Sequence, residues 1–269
     1  MKRAPRVRGL GFLSAWGRGT AALPDDARVA AAGRRVLSLG RLEREGERFR
    51  RATREGLLAL TAVELALDDA GAGRDAIAGP ETALIYVTAG AYAASNRRFI
   101  EGRGGSIRFA ETAPAVVPAE VSIELGVAGP YAIFIGGAPA TLRAIWHGAL
   151  LLDAGVCERA LVLAVEIFEE CADLVARMGR RTGIPLVEAA SCLWIEPGTG
   201  TLRIESAGRG VPSSAIHRRL GETLCCEPLA ALDLWRRRGA AGPVELTGRW
   251  RGECARLVWT DPLPRERAA

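Results

Sequence analysis

Lysine and histidine are almost missing from this chain: Lys2 is the only lysine, and His147 and His217 are the only histidines. Two histidines without a carboxylate at ligand spacing do not build a metal site, so no metal is expected. Long apolar runs are missing too. A membrane-spanning helix needs about 18 apolar residues; the best stretch, Ala144 to Leu152, falls far short and contains His147. No apolar segment follows the basic opening MKRAPRVRG before Pro24, so neither a secretory leader nor a membrane span is read. The six cysteines, Cys157, Cys171, Cys192, Cys225, Cys226 and Cys254, include no C-x-x-C pair. Scattered through apolar or helical stretches, they read as reduced, buried thiols of a cytoplasmic protein. There is no long block of like charge and no basic-aromatic stacking platform, which argues against a nucleic-acid partner.

What is present is an ordinary globular composition. The 269 residues are 49% hydrophobic and 25% charged, and a chain of this size buries a core without needing a staple. Arginine carries the net charge of +5. The skew to arginine, with many Ala and Gly, reads as a high-GC coding bias because the arginines are interspersed with acids, with a basic surface for an acidic partner as the other reading.

The apolar pattern alternates strands with helices, which argues a layered α/β fold. Val7 to Ala15 reads as a strand entering a Gly-rich turn. Leu57, Leu60, Val63, Leu67 and Ala70 recur at helical spacing in a helix drawn from Leu42 to Ala70 and stopped by Gly71. Strands are expected at Thr82 to Ala89, Tyr131 to Ile135, Arg159 to Phe168, Ala189 to Glu196, Thr201 to Ala207 and Glu253 to Thr260. Asn96 to Glu111 reads as a surface loop or short helix. Helices are expected at the end of Pro114 to Leu125, over Thr141 to Ala154, and over Leu224 to Arg236.

The most informative stretch is YAIFIGGAPATLRAIWHGALLLDAG. A strand ends in Gly136-Gly137, and Pro139 stands where a helix begins, as proline can in a first turn. Such an elbow exposes one side chain at a helix N-terminus, where the dipole favours a thiolate or an oxyanion. That side chain belongs to Ala138, which has no atom to attack with, so nucleophilic catalysis at this point is excluded. The same spacing also suits an ordinary Gly-rich turn between strand and helix.

Other motifs point to less. Gly9-x-Gly11 lacks the third glycine and the downstream acid of a dinucleotide fingerprint, so no cofactor is expected. Gly102, Gly104 and Gly105 read as a flexible loop. Glu166, Glu169 and Glu170 read as a solvated helix start rather than as an acid–base pair. Cys225-Cys226 reads as core packing, His147 as a helix-face or interface residue, and His217 as solvent-facing.

The stretch from Gly129-Pro130 through LVLAVEIF resembles the β-ketoacyl synthase segment that runs from a Gly-Pro turn to the cysteine elbow and on to the next strand. VRGLGFLSAWGRG, RRATREGLLALTAVELALDDAG and TAPAVVPAEVSIELGVAGP resemble that family's first strand, first long helix and pre-elbow helix. Ile145 and Gly148 fall on its helix positions. GETLCCEPLAALDLWRRRG and RGECARLVW resemble its late helix and closing strand.

The resemblance implies a thiolase-like layered αβαβα fold with the second repeat truncated. Residues 1–207 would form the first repeat and 208–269 a remnant of the second, packed on the same domain. It places Ala138 at the nucleophile position and Glu222 at a histidine position. A carboxylate there repels a developing enolate. The family's other histidine motif is missing, with an apparent deletion between Gly208 and Arg219.

The resemblance further implies a chain-length-factor-type subunit that is not catalytic alone. It would pair with a cysteine-bearing ketosynthase and serve an acyl carrier protein in type II fatty acid or polyketide synthesis. A shortened variety is associated with aryl-polyene clusters. Val116, Val117, Val121, Ile133, Phe134, Ile135 and Pro139 would lie at the interface or tunnel, and Arg97, Arg98, Arg180 and Arg181 would either meet the carrier or, equally, be solvated. The other functional class is a residual acyltransferase or decarboxylase, or a stand-alone binder of acyl-carrier or acyl-CoA substrates.

Overall fold

The first long helix shows how local sequence sets the architecture. Thr53 accepts a hydrogen bond from Gly56 N at 3.1 Å and caps helix α2 (Arg54–Ala70), which Gly71 ends in the left-handed conformation at φ +62°. A short helix α1 (Ala27–Ala31) precedes it, capped by Asp26. The computed structural model describes residues 2–40, 52–90, 92–102, 109–168, 183–206, 216–239 and 242–260, with Leu42, Arg44, Gly46 and Phe49. The helix does not extend back to Leu42. Instead Leu42 and Phe49 pack against the α2 side of the core, and Arg44 pairs with Glu64.

One mixed sheet organises the molecule. Its strands are β1 (Lys2–Ser14), β2 (Gly17–Arg18), β4 (Thr82–Thr88), β5 (Tyr131–Ile135), β6 (Arg159–Glu166) and β8 (Ala189–Ser206), in the order β2-β1-β8-β6-β4-β5. A hairpin of β9 (Val244–Trp250) and β10 (Glu253–Trp259) joins through β10 to the far half of β8. A separate two-residue pair links β3 (Val36–Leu37) to β7 (Leu186–Val187). Strands β4, β5 and β6 run parallel, and β8 runs antiparallel to both β6 and β1. The layered α/β class expected from the sequence is what forms.

The two strands expected at 189–196 and 201–207 are one. β1 pairs with β8 on both sides of Pro197, from Ser14 opposite Ala189 to Lys2 opposite Leu202. A register shift between Ala4 and Arg6 absorbs the irregular residues. β9 is not among the strands expected from the sequence.

Helices cover both faces. On one face α2 packs with α4 (Val116–Leu125) over Leu84, Tyr86, Leu161 and Leu163. On the other, α5 (Ala138–Asp153) packs with α7 (Glu227–Arg237) over Ile85, Val162, Leu193 and Ile195. A single-turn helix α6 (His217–Leu220) leads into α7, and α3 (Ala93–Ile100) follows β4. The late helix begins at Glu227 rather than Leu224 because Leu224 is held left-handed at φ +49°.

Gly9 and Gly11 have a packing role. A Cβ at either would sit 2.2 Å from a backbone carbonyl oxygen of α2, that of Ala66 or Ala62. The missing side chains let α2 lie directly on β1, which accounts for the Gly-x-Gly pair without a nucleotide. No helix among the described residues is long and apolar enough to cross a membrane.

Candidate functional site

The elbow forms where the sequence places it. β5 ends, Gly136 N donates to Thr88 O at 2.9 Å, and α5 starts at Ala138 with Gly137 as its cap. The apex is closed. Ala138 is 3% exposed, and β9 crosses directly above it. A Cβ on Gly248 would lie 2.7 Å from the carbonyl carbon of Ala138, and one on Gly137 would lie 2.5 Å from the Trp250 ring. Pro139, buried, lies under the same strand. The apex of the elbow thus carries a methyl group and is walled by a neighbouring backbone.

Glu222 serves its own turn. Its carboxylate accepts from Leu224 N at 2.8 Å and so holds the left-handed Leu224, while its backbone bonds to Pro185 and Val187. Burial pushes its carboxyl above the ordinary range. The following turn is tied to the elbow helix: Thr141 Oγ1 donates to Cys225 O at 2.6 Å. Cys225 and Cys226 are fully buried, as expected, and their thiols lie against the carbonyls of Val87 and Ala189.

Two expectations are corrected. His217 does not face solvent. Its Nδ1 lies 2.9 Å from Glu227 Oε2, with side chains 18% and 12% exposed, and that bond raises its pKa. A histidine that gains a carboxylate partner ten residues away cannot be read from its own neighbours in sequence. Glu166 is not a solvated helix start either; it is fully buried at the end of β6. Its carboxylate accepts from Ala89 N, from Gly90 N at 3.2 Å and from Thr88 Oγ1 at 3.5 Å. Burial pushes it up to about 7 against those donors. Glu169 and Glu170 lie outside the described residues, as do Cys171, Gly104, Gly105, Arg180 and Arg181.

The remaining predicted residues divide between core and surface. Val117 and Val121 are buried against α2, and Val116 is half-buried. On β5, Ile133 and Phe134 are half-buried and Ile135 is 48% exposed. β5 is the last strand of the sheet and pairs only with β4 among the described residues. Phe134 meets His147 at 5.6 Å between ring centroids, and both line a cavity of about 310 Å³ with Trp146, Ile204 and Arg143. On α3, Arg97 pairs with Glu101.

Glu55, on the first turn of α2, is a buried acid that sequence reasoning misses. Burial pushes its carboxyl to about 7, with Glu120 adding in the same direction and Arg98 opposing. The folded values of Glu55 and Glu166 lie above the ordinary 4.5. Their contribution to stability is therefore complete below about pH 4.5 and lost as pH rises through about 7. Each is worth about 3 kcal/mol across that window. His217, also raised, acts in the same direction. Urea unfolding is expected to show a less stable protein at pH 8 than at pH 5, and Glu55→Gln should shrink the difference. Equal stability of wild type and variant at both pH values would contradict this.

A layered α/β fold with a sealed, alanine-tipped elbow between β5 and α5 defines the scaffold. Residues 42–179 match the β-ketoacyl synthase N-terminal domain, and the chain belongs to that family. No curated protein matches the sequence. Solved structures do. The ishigamide ketosynthase/chain length factor is 15% identical, with TM-score 0.75 over 96% of this chain and 99% of that one. A type II PKS acyl-carrier protein in complex with its ketosynthase gives 14% identity and TM-score 0.74, covering 97% and 100%. A ketosynthase in complex with its chain length factor from Xenorhabdus doucetiae gives 13% and 0.64, covering 96% and 100%. The fold is accordingly the thiolase-like layered one, with the second repeat truncated.

Proposed function

We propose that this chain is the non-catalytic, chain-length-factor-type partner of a cysteine-bearing ketosynthase, in type II polyketide or fatty acid synthesis of the aryl-polyene kind. The observation that carries the proposal is the elbow: its architecture is intact, but its apex is a buried alanine under β9. A condensing enzyme needs a nucleophile there and a donor where Glu222 instead caps its own turn. Residues 1–207 act as the first repeat and 208–269 as the remnant of the second. Structures of similar fold, described as ketosynthases with chain length factors or carrier proteins, support the same assignment.

The partner would add to the free edge of β5, where Ile133, Phe134 and Ile135 supply apolar contact. Arg97 and Arg98 would face an acidic carrier protein. Five free cysteines among the described residues fit a reducing, cytoplasmic setting. Co-expression with a cysteine-bearing ketosynthase is the test. A stable one-to-one complex is expected, with self-association or insolubility of the chain alone; a well-behaved monomer that ignores such a partner would refute the proposal.

A further inference from the structure

The proposed function gives no role to the buried Glu166. Glu166 is a carboxylate with no cation against it among the described residues, set at the C-terminal ends of β4 and β6 and fully enclosed. Its bonds join three distant segments: the turn Ala89–Gly90 that leads from β4 to α3, the strand β6 itself, and Cys225 in the turn before α7. The two oxygens are not equivalent. Oε1 accepts from Ala89 N, whereas Oε2 takes the longer contacts, Gly90 N at 3.2 Å and Thr88 Oγ1 at 3.5 Å.

We infer that Glu166 is a proton-operated latch on the β4–α3 turn: ionised, it clasps both Ala89 and Gly90; protonated on Oε2, it releases Gly90. A carboxylate oxygen that takes a proton from bulk water becomes a hydroxyl. It then needs an acceptor of its own and, having lost its charge, accepts an N–H far more weakly than a carboxylate does. Thr88 Oγ1 stands beside Oε2 to accept that proton. The Ala89 bond to Oε1 survives, because that oxygen becomes the carbonyl of the acid. With Glu166 near 7, both forms are populated at neutral pH.

Among the described residues, three other titratable groups bear on this site. Tyr86 on β4, which bonds Thr88, is pushed far up by burial and stays protonated, as does Cys225. Glu55 on α2 reaches the site only through the field at Tyr86. Release of Gly90 would loosen the start of α3, which carries the exposed Ile100.

Amide exchange of the full chain, corrected for the intrinsic effect of pH, tests the latch. Protection at Gly90 is expected to fall at least tenfold from pH 8 to pH 6, with Ala89 and the amides of α5 unchanged. Glu166→Gln should leave Gly90 open at both pH values, while Glu55→Gln should keep the wild-type response. If Glu166→Gln does not fold, carboxyl carbon NMR of the wild type decides. A Glu166 titration between pH 6 and 8, with the Gly90 nitrogen shift moving in step, supports the latch. A carboxyl that stays in one state from pH 5 to 9, or a Gly90 that does not respond, overturns it.

Discussion

Gly248→Ala is expected to unseat β9 from the elbow and lower the melting temperature by roughly 6–12 °C, equivalent to about 3 kcal/mol. The new Cβ would lie 2.7 Å from the carbonyl carbon of Ala138 and 2.8 Å from Pro139 N. Both are backbone atoms at the start of a buried helix, so no side-chain rotation relieves the contact. Either β9 lifts or α5 shifts, and α5 is packed against β4, β6 and β8 through Ala144, Ile145 and Gly148. Gly33→Ala makes a control for loss of glycine: nothing lies within 4 Å of its Cβ position, although its φ of +82° adds some strain. Differential scanning calorimetry of both variants would check the account. An unchanged midpoint for Gly248→Ala would show that β9 does not seal the elbow.

The same glycine shows where sequence reading stops. β4, β5 and β6 are legible because each is a short apolar run bounded by Gly, Pro or a polar turn, and all of β4 is buried. The elbow is legible because two glycines and a proline fix its geometry locally. In β9, VELTGRW alternates apolar and polar residues around Gly248, a short strand pattern that the expectations above do not include. Its reason for being glycine is Ala138, 110 residues away. Glu166 and His217 are misread for a related cause. A charged residue at a strand end ordinarily faces water, and only the meeting of Ala89, Gly90 and Cys225 around Glu166 says otherwise. The ion pair of the enclosed Glu188 with the half-buried Arg54 is likewise a pairing across 134 residues that no local pattern announces.

Ile135→Arg is the substitution expected to act most strongly on assembly, weakening association with a ketosynthase partner about a hundredfold, equivalent to roughly 2.7 kcal/mol. Ile135 closes β5 at the outer edge of the sheet and is 48% exposed in the isolated chain. An arginine there can stay in water in the free subunit, so the fold is retained. In a complex it would carry a desolvated charge into the centre of an apolar contact. Val29→Arg on α1, at a site 78% exposed, is the matched control and should leave association unchanged. Titration by calorimetry or light scattering distinguishes them. Equal affinities for wild type and Ile135→Arg would remove β5 from the interface.

In the proposed role, the elbow survives as architecture beside another subunit's active site. Condensation of acyl-carrier and malonyl-carrier substrates tests it most directly, measured for the purified chain, for a cysteine-bearing ketosynthase, and for the pair. The account predicts background turnover from the chain alone, with or without Ala138→Cys, and turnover by the pair that disappears when the partner's cysteine is removed. Decarboxylation or condensation by the chain alone, abolished by substitution at Pro139, would contradict it.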